Sequence, residues 1–588
     1  MKKPILFILL FIGITRFYSQ SLDLKWSEQL IYDNKIDGFL DGYIGSNSTS
    51  IYAKFSNLAL KPKKQNNKIK LLAFDKTTMK KTGEVELVGY KKKVDDDLKY
   101  HTTLVLQDVI YVIWTKRKKT AVEIYAQTFD PKLKKVNKLS KIYELYNGKK
   151  ETDNLILSIN KKYGNKLLIG KEFAITKDEE DLRIEYKILN PDFTVANSKQ
   201  VTLPIVITKR RRGLFVNYTG MFAGTIAQYN LAEDGNIYIQ DMIRLSDDEI
   251  KSLRKSESAV YSHQIQIKTE SGEMNEYRIK FPSKNTFNAS TIITSKGIKL
   301  YGFFSDLDKD IKGHDTHGIF YVSLDPETFK PVETKFSYFD KEFLNVLFEA
   351  DKENQKKGKG LFKSKKAKES DDNSLDDNYI IEYAVADGTD MVLFCSMMRN
   401  WQQTVCTTNS NGGTTCTTYY YCTKSNVTAF KLNSAGDIVW AKNMDRLITY
   451  NRWNVYDLNV IKSGNDYYVT YGSAFEINAK KKNRRSSKSK SEMRDRFEYA
   501  VFSGRTGDYK KAEYQVNGFN TKKKEMKYVS PANIAVYDNR MYTSCVRTKL
   551  KAKTFIACLC PPVFYFMLFS GNSKKGTGYL GTISPINK

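Results

Sequence analysis

One pattern recurs seven times along this chain: an alternating apolar strand, a short turn built on Asp, Asn, Gly or Pro, and a second strand. The hairpins begin at Lys70, Glu123, Arg183, Gln264, Ile319, Thr428 and Glu498. Period-two alternation buries one side of each strand and leaves the unit without a core of its own, so neighbouring units must stack. Ahead of these hairpins lie further strand pairs with their own tight turns, as in the segments starting at Leu104, Leu157 and Val536. The turns Glu233-Asp234-Gly235-Asn236, Gly464-Asn465-Asp466 and Asp538-Asn539-Arg540 take the same place in other units.

Four strands per unit, repeated every ~55 to 110 residues, predict an all-β chain built as a β-propeller with loop insertions. The two ends supply an eighth unit. GYLGTIS from Gly578 reads as a third strand without a fourth, and LDLKWSEQLIY from Leu22 as a fourth strand without a third. Pairing them closes the ring and removes two open sheet edges. The expectation is eight four-stranded blades, with seven as the alternative, in a single domain over 21–588. A ring that grows by adding neighbours also accounts for 588 residues, too many for one compact core. The 13% aromatic content, with 38 Tyr against 12 Pro, favours sheet.

The stretch AFKLNSAGDIVWAKNM, with Ala429, Gly436 and Trp440, resembles the outer hairpin of quinoprotein-type propeller repeats, and Trp26 in LKWSEQL looks like the counterpart of Trp440. The resemblance implies a tryptophan docking one blade on the next. Quinoprotein dehydrogenases carry adjacent cysteines at the cofactor, and this chain has no Cys-Cys pair. The resemblance therefore implies fold, and the sequence calls for no cofactor.

Residues 1–20 have Lys2 and Lys3, an apolar run over 4–14 and a small residue at Ser19, with Ser21 just after them, the pattern of a secretory signal peptide. Export to the periplasm, the outer surface or the medium follows. A second apolar run, 555–569, is interrupted by Pro561 and Pro562 and is too short for a spanning helix, so it reads as strand and loop. All seven cysteines fall between Cys395 and Cys560. A hairpin centred on Asn411 would set Cys406 opposite Cys416, a disulfide compatible with export; Cys406 with Cys422 is the competing pair.

The insertions are one-sided. Within blades whose strands are lettered a to d, the a–b and c–d turns are short, and the long segments are b–c loops and d–a crossings, which emerge on one face. They include 340–377, read as a short amphipathic helix with a charged tether, 399–426, a cysteine-containing hairpin, and 478–495. Several are basic: Lys209, Arg210, Arg211 and Arg212, then Lys481, Arg484 and Arg485, in a chain of 95 Lys and Arg against 66 Asp and Glu, net +29. Such a face attracts anionic glycan, lipid head group or an acidic protein. Aromatics are sparse within the basic runs, which disfavours single-stranded nucleic acid.

Asp306, Asp308, Asp310 and His314 form the single local cluster of potential metal ligands. Ile311 stands where a calcium hand needs Gly, and a hydrated loop is the simpler reading. No G-x-S-x-G, P-loop or H-E-x-x-H is present. The function expected is a non-catalytic exported binding propeller of the cell envelope, acting through its inserted face on a protein or polyanionic partner. The alternative is a secreted hydrolase or lyase of acidic polysaccharide.

Overall fold

A computed structural model describes residues 22–32, 39–56, 69–88, 98–146, 154–160, 165–173, 181–206, 228–244, 260–294, 297–309, 315–345, 379–408, 414–450, 457–473, 496–515, 525–526, 534–549 and 576–586. They form eight antiparallel sheets. Blades 1 to 7 span 39–88, 98–146, 154–206, 228–279, 284–338, 379–450 and 459–515, each a four-stranded meander in chain order. All seven hairpins expected from the sequence are the c–d pairs of these blades.

Blade 8 is shared between the chain ends. Ala535–Tyr537, Arg540–Lys549 and Gly576–Pro585 supply strands a, b and c, and Leu22–Trp26 adds strand d, running from Leu22 opposite Pro585 to Trp26 opposite Gly581. Leu30–Tyr32 continues along the same C-terminal strand, with Leu30 opposite Gly578.

The ring is visible in the packing. Eight of the apolar clusters each lie between two successive blades. One joins blades 8 and 1 through Ile51, Phe74, Tyr542 and Leu580, and another joins blades 7 and 8 through Leu22, Ile461, Tyr499 and Ile583. The other six fill the six remaining interfaces. Strands a touch in six of the eight adjacent blade pairs, including blades 1 and 8, so the innermost strands converge on a common axis. The fold is an eight-bladed β-propeller.

The c–d turns explain how successive blades lock. Each of the seven has a residue in the left-handed backbone region: Met79 (φ 56°), Leu133 (62°), Phe193 (71°), Gly272 (80°), Phe329 (57°), Gly436 (82°) and Gly507 (73°). A non-glycine residue there costs about 1–2 kcal/mol. Met79, Leu133 and Phe329 are nevertheless buried, each in the cluster shared with the preceding blade, and burying such a side chain returns about 1.5–3 kcal/mol. Where the turn residue is glycine, the preceding blade can fill the space: a Cβ on Gly436 would meet Tyr321 at 2.7 Å, and one on Gly507 would meet the Trp440 ring at 2.5 Å. Neighbours also donate to turn carbonyls, as Tyr52 does to Pro131 (2.9 Å), Asn137 to Pro191 (3.0 Å), Gln266 to Pro326 (2.8 Å) and Ser337 to Gly436 (2.9 Å).

Trp440 docks forward on blade 7, its indole N–H reaching Gly504 O at 3.4 Å. Trp26 does not repeat this arrangement. It packs backward, also against blade 7, because its partner Gly581 lies on the side of blade 8 that carries Leu24 and Ile583.

Candidate functional site at the loop face of blade 6

Strand order sets the a–b and c–d turns on one face and the b–c and d–a connections on the other, here called the loop face. Among the described residues, blade 6 carries the most structure on that face. Its strands b and c, Asp390–Thr408 and Thr414–Leu432, continue past the blade as a two-stranded ribbon. Within the described residues strand a pairs with b only as far as Met397, and strand d with c only as far as Cys422. The described parts of the segment read from sequence as an insertion over 399–426, namely 399–408 and 414–426, are thus continuous with the blade's own strands.

Four charged side chains lie at the ribbon's base. Lys424 donates to Glu382 and, at 2.9 Å, to Asp457; Arg446 donates to Glu382 at 3.1 Å, to both oxygens of Asp457 at 3.1 Å and to Ser396 at 2.7 Å. The Tyr450 hydroxyl donates to Asp457. All four charged side chains are at most 1% exposed. Two cations and two anions leave no net charge. Burial alone would push the Asp457 carboxyl up, but Arg446 and Lys424 outweigh it and hold it well below the usual carboxylate range. Burial also disfavours charge on Arg446, and Asp457 and Glu382 reverse that effect.

Local backbone geometry creates this cluster. The a–b register slips between Ile381 and Tyr383, which sets Glu382 on a bulge. The slip between Ser425 and Val427 turns Lys424 away from the side of Phe430 and Leu432 and toward Asp457, while Arg446 stays in phase with Met444, Ile448 and Tyr450. A bulge re-aims one side chain against the pleat, so residues that strict alternation would scatter over two faces meet on one. The sequence signal was available in Arg446, a charge at a position that the alternation of strand d buries, but the reading from sequence did not single out Glu382, Lys424, Arg446 or Asp457.

Beyond the ion cluster, Cys422, Ile448 and Tyr450 form a small apolar layer with Met398. Next, Trp401 and Tyr421 stack with centroids 4.3 Å apart, and the Trp401 indole donates to Thr423 at 2.8 Å. Thr404 and Thr418 are bonded across the ribbon at 3.0 Å. Farther out Cys406 and Cys416 stand directly opposite, Cα atoms 4.0 Å apart, joined as a disulfide. Cys422 is instead opposite Asn400, six residues nearer the base than Cys416, and buried. The Cys545 side chain and Cys558 and Cys560 lie outside the described residues.

Of the proposed metal ligands, Asp306 is already engaged. Lys284 reaches it at 2.9 Å and the Tyr338 hydroxyl donates to it. Burial pushes this carboxyl up, and those two donors outweigh it and hold it below the ordinary range. Its backbone N–H donates to His317 Nδ1 at 3.1 Å. Asp308 donates its N–H to Asp306 at 3.2 Å, and Asp310 and His314 lie outside the described residues. Among the described residues no group of three or more His, Cys, Asp or Glu is gathered so as to hold a metal ion.

Lys209, Arg210, Arg211, Arg212, Lys481, Arg484 and Arg485 lie outside the described residues, as do 1–20, 478–495 and 555–569. Of 340–377, the described part includes a short helix over 341–345, where Asp340 accepts the Phe343 N–H at 2.6 Å. Phe343 and Leu344 are buried in the cluster between blades 5 and 6, where Phe339 stacks on Phe430 at 5.4 Å. No helix among the described residues is long and apolar enough to cross a membrane.

No family model matches the sequence, and no curated protein matches it. Among solved structures the chain is similar to a polysaccharide lyase (10% identity, 93% of this chain and 99% of that one, TM-score 0.31). It is similar to the WD40 domain of SCAP from fission yeast (7% identity, 95% and 98%, TM-score 0.32). It is also similar to a post-proline cleaving enzyme from Rickettsia typhi (9% identity, 87% and 58%, TM-score 0.35). Likenesses this distant carry no argument about activity, which has to come from the site.

Proposed function

We propose that the protein is an exported, non-catalytic propeller that binds a protein or polyanionic partner in the cell envelope through its loop face, with the basic segments supplying the attraction and the blade 6 ribbon a rigid, uncharged element of that face. The observation that carries this reading is the construction of the ribbon. Its base is held by a buried, charge-balanced quartet, its middle by an aromatic stack and its outer part by a disulfide. Buried ion pairs add little net stability over apolar packing, and their best-attested use is to fix one register. Here that use would set the direction in which the ribbon leaves the blade.

Glu382 and Asp457 are the two carboxylates brought together at this site, and each is closed off from solvent and bound to two cations. General acid–base work on a glycan needs a carboxyl group within reach of substrate, which supports binding over catalysis. The basic segments at 209–212 and 481–485 belong to d–a and b–c connections, the classes that leave the loop face.

The test is retention on an anionic matrix together with turnover on a panel of acidic polysaccharides. Deleting 478–495 is expected to lower the salt needed for elution while the melting temperature stays unchanged, because the deleted Lys and Arg supply screened, long-range attraction. Replacing 400–422 by Asn-Gly, a two-residue turn suited to joining strands b and c, is expected to abolish partner capture with the propeller intact. Measurable turnover on any polysaccharide in the panel would overturn the non-catalytic reading.

A further inference from the structure

The outer strand of every blade carries a Lys or Arg: Lys81, Lys138, Lys199, Arg278, Lys335, Lys442, Lys510 and, in the closing strand, Lys25. Such charges keep an exposed sheet edge from pairing with another chain. The ribbon is built on the opposite rule. From Asn400 to Thr423 there is no Lys, Arg, Asp or Glu, in a chain where 27% of residues are charged. Outside the Asn-, Ser- and Gly-containing tip and the terminal Asn400, the residues are Thr, Tyr, Cys, Gln, Trp and Val, and the β-branched and aromatic members favour extended pairing. Gln402 to Thr407 are all exposed, Val405 to 41%. Over these residues strand b is paired to strand c, and no third described strand extends the sheet on its outer side.

We propose that the outer edge of strand b over 402–407 is a homotypic docking strand, through which two copies of this chain pair antiparallel and join their ribbons into one four-stranded sheet. The choice of a second copy rests on charge. An acidic partner is best met by the basic segments, whereas this edge carries no Lys or Arg. An uncharged edge is the surface through which two +29 chains approach each other with least repulsion. An antiparallel strand pair is also self-complementary, as a two-fold interface requires. The aromatic stack and the disulfide limit twisting of the edge, which reduces the ordering cost of association.

A contact of one short edge is small, and interfaces below ~1,200 Å² belong to weak encounters, so the expected dissociation constant is on the order of 10 μM. This inference stands apart from the partner reading, since it is measured on the purified full chain alone. Sedimentation equilibrium up to about 200 μM, well above that constant, is expected to show a monomer–dimer equilibrium that tightens as salt rises, because screening relieves repulsion between two cationic bodies. Thr404→Lys with Val405→Lys, which restores the guard found on the outer strands, is expected to weaken association at least tenfold with unchanged circular dichroism and melting temperature. A wild-type chain that stays monomeric throughout that range, a dimer that weakens with salt, a covalent dimer on a non-reducing gel, or full association of the double variant would each overturn the proposal. Pairing with an added neutral β-strand peptide in place of self-association would overturn it as well.

Discussion

Asp457 is the residue on which the blade 6 site turns, since it accepts from Lys424, Arg446 and Tyr450 at once. Its carboxyl is held below the ordinary range in the folded chain. A depressed carboxylate contributes stability that is present above the unfolded-state value and lost as pH falls toward the folded one. With an unfolded Asp near 3.9, that contribution is expected to be complete above about pH 5 and to fade below about pH 4. Asp457→Asn leaves Lys424 and Arg446 buried with one carboxylate between them, and is expected to cost about 3–5 kcal/mol in urea unfolding at pH 7. It should also flatten the acid limb of stability against pH. A loss under 1 kcal/mol would mean that water reaches the cluster. Of the four charged residues only Arg446 left a signal in the sequence, a charge in the buried phase that Met444, Ile448 and Tyr450 set on strand d; Glu382, Lys424 and Asp457 come from other segments, and register slips beside Ile381 and Ser425 hide their convergence.

At the scale of the element, the c–d turns were legible as turns and their chemistry was only half so. Asp75, Asp130, Asp325 and Asn433 accept N–H groups two to four residues on, a local signal that a sequence displays. The left-handed residues are another matter. Gly436 and Gly507 advertise a positive φ, whereas Met79, Leu133 and Phe329 look like ordinary apolar positions and adopt that backbone because the preceding blade supplies a pocket. Phe329→Gly tests the balance: it relieves about 1 kcal/mol of backbone strain and forfeits about 3–5 kcal/mol of buried ring, for an expected net loss of about 2–4 kcal/mol in urea unfolding. A neutral or stabilising result would show that the ring does not anchor blade 5 on blade 4. The ribbon was legible as a cysteine-containing hairpin, with Cys406 opposite Cys416 the geometrically simplest pair. Its continuity with the blade was not, because Thr-rich strands without apolar alternation resemble loop in a sequence.

At the scale of the whole molecule, blade order, the seven hairpins and the shared eighth blade follow from period-two patterning and turn residues, which are local properties. The direction of Trp26 does not, since it depends on the register of a strand pair formed from the two ends of the chain. Closure is the feature on which the loop face, the ribbon's position and the protection of two sheet edges all depend. It is tested most directly by cross-linking the ends. Asp23 and Ser584 are opposed in the closing pair, so a chain carrying Asp23→Cys and Ser584→Cys should form an intrachain disulfide under mild oxidation, within the ~4.4–6.8 Å Cα separation such a bond requires. The account predicts a near-complete intrachain link, seen by peptide mapping, and a raised melting temperature in the oxidised form. Free thiols at both positions, or links only between separate chains, would contradict the closed ring.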